Sequence, residues 1–75
     1  MSIKLNGEQV DLNQEVKTIQ HLLAFYKLED RLVIVEHNRE IVLKDQYENT
    51  IISNGDEIEL VHFVGGGWFY VKNCR

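Results

Sequence analysis

Ser2-Ile3-Lys4-Leu5-Asn6-Gly7-Glu8-Gln9-Val10-Asp11-Leu12 opens the chain with two alternating runs around an Asn-Gly pair. Ile3 and Leu5 share one side, and Val10 and Leu12 share one side beyond the pair. Asn-Gly readily takes positive φ, so this pattern predicts a β-hairpin. Pairing across the turn sets Leu5 opposite Glu8 and Ile3 opposite Val10. The apolar sides then agree in register.

Downstream, Thr18 is placed to cap a helix, because its hydroxyl can accept from an orphan amide. Ile19, Leu22, Leu23 and Tyr26 recur at i, i+3, i+4 and i+7, one helical face ending near Lys27. Arg31 to Val35 is apolar and β-branched, which predicts a strand. Glu36 to Arg39 reads as a polar turn and Glu40-Ile41-Val42 as a return strand. Lys44 to Tyr47 reads as a single helical turn. Asn54-Gly55-Asp56 is a further turn, and Glu57 to Val64 is the last expected strand. One helix cannot bury its face alone, so it packs on the sheet. A sheet gripping one main helix is the ubiquitin-like β-grasp arrangement, an α+β fold with a mixed sheet. A split barrel uses similar elements, but the early hairpin and single helix favour the grasp. The expected core is Ile3, Leu5, Val10, Ile19, Leu22, Leu23, Val33, Val35, Ile58 and Leu60.

The last expected strand carries more than fold. Ile58 and Leu60 fall on one side, and Glu57, Glu59, Val61 and Phe63 on the other. With Ile58 and Leu60 in the core, Val61 and Phe63 form an apolar pair at the exit of an acidic face, a candidate interface. The competing reading is a bulge that returns Phe63 to the core. Gly65-Gly66-Gly67 comes next. Such a run costs backbone entropy on ordering and packs nothing. It serves as a flexible hinge or as a thread for a channel too narrow for a Cβ.

The chain has 75 residues, which is one small domain. A chain this short buries only roughly 60–65% of its unfolded surface, too little for a deep cleft between lobes. Eight basic and 12 acidic residues give a net charge of −4. That balance disfavours nucleic acid and suits a basic protein partner. A single cysteine excludes an internal disulfide and fits a reducing compartment, so a cytoplasmic location is expected. No apolar run approaches a membrane span, and the first residues lack a signal peptide's apolar region. His21, His37 and His62 fall on separate elements without ligand spacing, so no metal site is expected. Cys74 has no base beside it in sequence and reads as an incidental thiol.

The segment from Asn54 to Gly67 closely resembles the C-terminal stretch of the ThiS family, bacterial sulfur carriers of thiamine-thiazole synthesis. The resemblance extends to Thr18-Ile19-Gln20-His21-Leu22-Leu23, to Val33 through Ile41 and to Ile3-Lys4-Leu5-Asn6-Gly7, and so covers residues 1–67. It implies a carrier and not an enzyme, with chemistry on the backbone. An adenylating enzyme, ThiF, would use ATP to activate the carboxylate of Gly67. Sulfur would then convert it to a thiocarboxylate for delivery at the thiazole synthase, ThiG. No bound cofactor is implied. By position, Gly65 and Gly66 would thread the partner's channel, and Val61, Phe63, Glu57 and Glu59 would dock. From Phe63 to Gly67, four extended residues reach roughly 13 Å.

One departure stands out. Trp68-Phe69-Tyr70-Val71-Lys72-Asn73-Cys74-Arg75 lies beyond Gly67, whereas family members end at the last glycine. An amide-bonded Gly67 has no carboxylate to adenylate. The chain therefore reads as a carrier domain, 1–67, and an extension, 68–75. That extension is a removable pro-segment, an artefact, or the mark of a lost carrier role. It either folds back on the sheet near Phe63 or mediates self-association. Two other functions fit the same elements: the small sulfur-carrying subunit of molybdopterin synthase, and a non-catalytic β-grasp binding module with a permanent tail.

Overall fold

A computed structural model describes residues 1–64 and 67–70, with side chains described for 1–62. The opening hairpin forms as the pattern predicts. Strand β1, Ser2–Leu5, pairs antiparallel with β2, Glu8–Asp11, setting Ile3 opposite Val10 and Leu5 opposite Glu8. Asn6 and Gly7 both take positive φ, 51° and 86°, the geometry that lets a two-residue turn follow the strand twist.

Helix α1 spans Ile19–Phe25. The Thr18 hydroxyl accepts from the His21 amide at 3.2 Å, so the expected cap is in place. The helix stops where Lys27 turns left-handed at φ 61°. The Leu28 amide then donates to the Leu23 carbonyl at 2.7 Å, and the Lys27 amide to Ala24 at 3.0 Å. This pair of bonds satisfies the last orphan carbonyls with lysine where glycine is usual.

Strand β3 is Val33–His37, and β4 is Glu40–Val42. The expected strand at Arg31–Val35 and turn at Glu36–Arg39 are therefore shifted by two residues. Glu36 and His37 pair with Ile41 and Glu40, and the turn shrinks to Asn38-Arg39, at φ 51° and 73°. Polarity suggested a loop there, but Glu36 lies on the open face of the strand and His37, on the other face, is bonded to Asp56. Leu32 lies outside β3 and is 65% exposed. A 3-10 turn spans Lys44–Gln46, and β5 is Glu57–Val64. A further strand, β6, Gly67–Tyr70, comes after it, so β5 is not the last.

The sheet order is β2-β1-β5-β3-β4, with β6 added beside β5. The β1–β5 pair is parallel and the other pairs are antiparallel, so the sheet is mixed. Ile19, Leu22 and Leu23 of α1 are buried with Ile3, Leu5, Val35, Ile58 and Leu60 of the sheet. This is the expected grasp. Val10 and Val33 are only partly buried, packed at the core's margin. Leu12 beyond β2 and Val42 of β4 add to the core, and Val16, Leu28, Tyr47 and Ile52 complete it from the segments between strands.

Candidate functional site

Strand β5 organises the site because it outruns its neighbour. Its parallel pairing with β1 covers only Glu57 and Ile58. Asn6 extends the contact by one rung. Its side-chain oxygen accepts from the Leu60 amide at 2.9 Å, and its Nδ2 donates to the Leu60 carbonyl at 3.3 Å. A side-chain amide here takes the place of a peptide group. On the other side β3 accompanies β5 from Ile58 to His62.

Along β5, Ile58 and Leu60 are buried while Glu57 and Glu59 are exposed. The register with β3 runs unbroken from Ile58 to His62, and that with β6 from Val61 to Val64. Neither register contains a bulge. Val61 therefore stays on the acidic face, as does the register position of Phe63, whose side chain lies outside the described residues. The sheet also adds residues that sequence alone did not single out. Ile34 sits opposite Val61, Glu36 opposite Glu59, and Ile41 opposite Glu36. Ile34 and Ile41 are 41% and 62% exposed. The open face thus joins an apolar group, Val61, Ile34 and Ile41, to an acidic one, Glu36, Glu57 and Glu59. Cross-strand register was the missing signal, since these residues are distant in sequence. Arg39 approaches Glu57 at 3.9 Å, an exposed pair of little energetic weight.

Gly67 opens β6 opposite Val64. Gly65, Gly66 and Cys74 lie outside the described residues.

The far end of β5 is tied down. The Asp56 carboxylate meets His37 Nε2 at 2.6 Å and accepts from the Ser53 amide at 2.8 Å and from Asn38 Nδ2 at 3.3 Å. Burial raises the Asp56 pKa, but these bonds and the nearby His37 outweigh it and hold the carboxyl below its ordinary range. Burial pushes the Tyr47 phenol up. His21 Nδ1 accepts from the Lys17 amide at 3.0 Å, and His62 Nε2 is buried with no partner among the described residues. The three histidines have three separate surroundings. Among the described residues no group of three or more His, Cys, Asp or Glu is arranged to hold a metal. A groove of about 300 Å³ beside β4 is lined mainly by apolar residues, Leu28, Leu32, Ile41 and Leu43 among them, with Glu29 and Lys44 also in its wall. No helix among the described residues is long and apolar enough to cross a membrane.

The model of the ThiS family matches residues 3–67, from the first core strand through the end of the glycine run. The chain belongs to the ThiS family. It is 49% identical over 65 residues to the sulfur carrier protein ThiS of Bacillus subtilis, covering 87% of this chain and 98% of that protein. The crystal structure of the thiamine biosynthesis protein ThiS from Geobacter metallireducens superimposes with a TM-score of 0.74 at 28% identity. It covers 89% of this chain and all of that one. The β-grasp reading is thereby confirmed. A thiazole synthase of Paramagnetospirillum magneticum is 37% identical over 67 residues, 89% of this chain but 20% of that protein. A ThiS-like segment is thus carried within a larger protein named for thiazole synthesis.

Proposed function

We propose that this protein is a sulfur carrier of thiamine biosynthesis whose working group is the carboxylate of Gly67. The observation that carries the reading is the family match over residues 3–67, which ends on the glycine run. A carrier needs a folded body for recognition and a narrow acyl end for chemistry. The body here offers a mixed apolar and acidic face, and its glycines offer an end without side chains. The protein is a carrier and not a catalyst. No cofactor is required of it, because ATP is bound by the activating partner.

The chemistry arises from a carboxylate's weakness as an electrophile. The adenylating enzyme ThiF therefore joins it to AMP and releases pyrophosphate. Sulfide-level sulfur from the donor then attacks the acyl carbon, AMP leaves, and a thiocarboxylate remains. Val61, Phe63, Glu57 and Glu59 dock the partner, with Ile34, Ile41 and Glu36 extending the same face. Gly65 and Gly66 thread the partner's channel. Delivery is to the thiazole synthase ThiG, a link supported by the ThiS-like segment within thiazole synthases. This sequence of ATP-dependent steps belongs in the cytoplasm. The thiamine branch is carried by the names of the relatives; the molybdopterin alternative is not favoured.

In the 75-residue chain Gly67 is bonded to Trp68, so residues 68–75 must be removed first. Mass spectrometry after incubation with ThiF, ATP and a sulfur donor tests this. A 1–67 chain gains the mass difference between sulfur and oxygen, and the 1–75 chain is unchanged. An unmodified 1–67 chain, with ThiF active on its own carrier, overturns the carrier reading in favour of a binding module.

A further inference from the structure

The edge of β5 that faces β1 is filled by three different things in succession. The Asn6 amide donates to the Ile58 carbonyl at 2.9 Å, and the Asn6 side chain serves both backbone groups of Leu60. Backbone groups alternate sides along a strand, so those of His62 and Val64 aim at this same edge. Strand β1 ends at Leu5 and cannot reach them. Residues 67–70 take over: Val64 lies opposite Gly67 and His62 opposite Phe69.

We infer that β6 is an internal cover, holding Gly67 back against β5 and occupying the strand edge beside it until residues 68–70 leave. The inference rests on the carrier reading for its inhibitory meaning. Its geometry stands on register alone. In an extended tail Gly67 would lie three residues beyond Val64, about 10 Å away. In the hairpin the two residues are direct partners, about 5.5 Å apart for a hydrogen-bonded pair. The reach that a carrier needs is folded away. The uncut chain is therefore blocked twice, by the amide bond at Gly67 and by the shape of the tail. Removing residues 68–75 lifts both blocks and uncovers the His62 and Val64 edge. Asn6 sets where the cover begins, because its side chain already occupies the rung at Leu60.

Phe69→Pro separates the two blocks. Proline has no N–H for the ladder opposite His62, yet the tail stays attached. Amide exchange is followed by NMR in the 1–75 chain, in Phe69→Pro and in a 1–67 chain. The 1–67 chain keeps every core residue, since all lie at or before Leu60. Protection at His62 and Val64 falls by about tenfold or more in both altered chains, while Leu22 in α1 keeps its protection. Equal protection at His62 and Val64 in all three chains overturns the cover. A second arm measures binding to ThiF without ATP. Phe69→Pro binds about threefold or more tighter than wild type, although both carry an amide at Gly67. Equal affinity overturns the inhibitory role. Absence of adenylation in the 1–67 chain strikes the carrier reading itself and takes the inhibitory role with it, while exchange still decides the cover.

Discussion

The two ends of β5 are built on opposite terms. At Glu57 the strand enters from a loop fastened on both sides. The Gly55 amide donates to the Ser2 carbonyl at 2.7 Å, the Lys4 amide to Asp56 at 2.9 Å, and the Glu57 amide to the Asn38 side chain at 2.9 Å. At Val64 the strand has outrun β1, and its register partner on that edge is its own continuation. The contrast separates two jobs. The fastened end is held by the rest of the sheet, and the overrunning end is paired on the β1 side only with the strand that follows it. A carrier needs both, because recognition requires a rigid body and delivery requires an end that can change partners.

The contrast breaks most visibly if the rigid body is hollowed. Leu22 is fully buried beneath the sheet. Leu22→Ala costs ~2–5 kcal/mol in chemical denaturation, because the cavity cannot collapse fully. An unchanged midpoint would place α1 in another register. The boundary between the two halves is sharpened by Asn6→Gly. Glycine keeps the positive φ but removes the amide that serves Leu60, at a cost of about 1–3 kcal/mol. The loss should be accompanied by faster exchange of the Leu60 amide; an unaltered Leu60 would mean that the side-chain rung carries no weight.

The smallest effect concerns the fastened end and depends on pH. Asp56 has a folded pKa below its unfolded value. It therefore adds stability that is present above the unfolded value, about 3.9, and is lost as pH falls through the folded pKa. Asp56→Asn removes that contribution, costs about 1 kcal/mol at neutral pH, and flattens the acid limb of the stability curve. Parallel acid limbs for the two proteins would remove Asp56 from the clasp.

Much of this was legible in the chain. Asn6-Gly7 between alternating runs gave the hairpin and its register. The four-residue face from Ile19 to Tyr26 gave the helix, and Thr18 its cap. The strand shift at Val33–His37 was not legible, because Glu36 and His37 are polar for a strand: Glu36 lies on the open face opposite Glu59, and His37, on the other face, is bonded to Asp56. The turn after β3 places Arg39 at φ 73°, a conformation that its side chain does not announce. Val16 and Ile52 were missed for another reason: they sit in irregular segments where neither period applies, whereas Leu12 continues the alternation of β2 and was legible beside Val10. For the site, the glycine run and the acidic strand were visible at once. Ile34, Glu36 and Ile41 became neighbours of β5 only when strand order was known. The pairing of Val64 with Gly67 depends on a connection made only of glycine, a sequence that specifies no single geometry.

Asn6 also gives the molecule a chemical clock. Asparagine before glycine is open to attack on its side-chain carbonyl by the next backbone nitrogen, with loss of ammonia, and the chain has two such pairs, Asn6-Gly7 and Asn54-Gly55. At Asn54 the oxygen accepts from the Ser2 amide at 2.8 Å, and a carboxylate can take over that bond. At Asn6 the nitrogen donates to the Leu60 carbonyl, and a carboxylate would set oxygen against oxygen there. Loss of the Asn6 side-chain nitrogen thus removes the rung at Leu60, whichever aspartyl product forms.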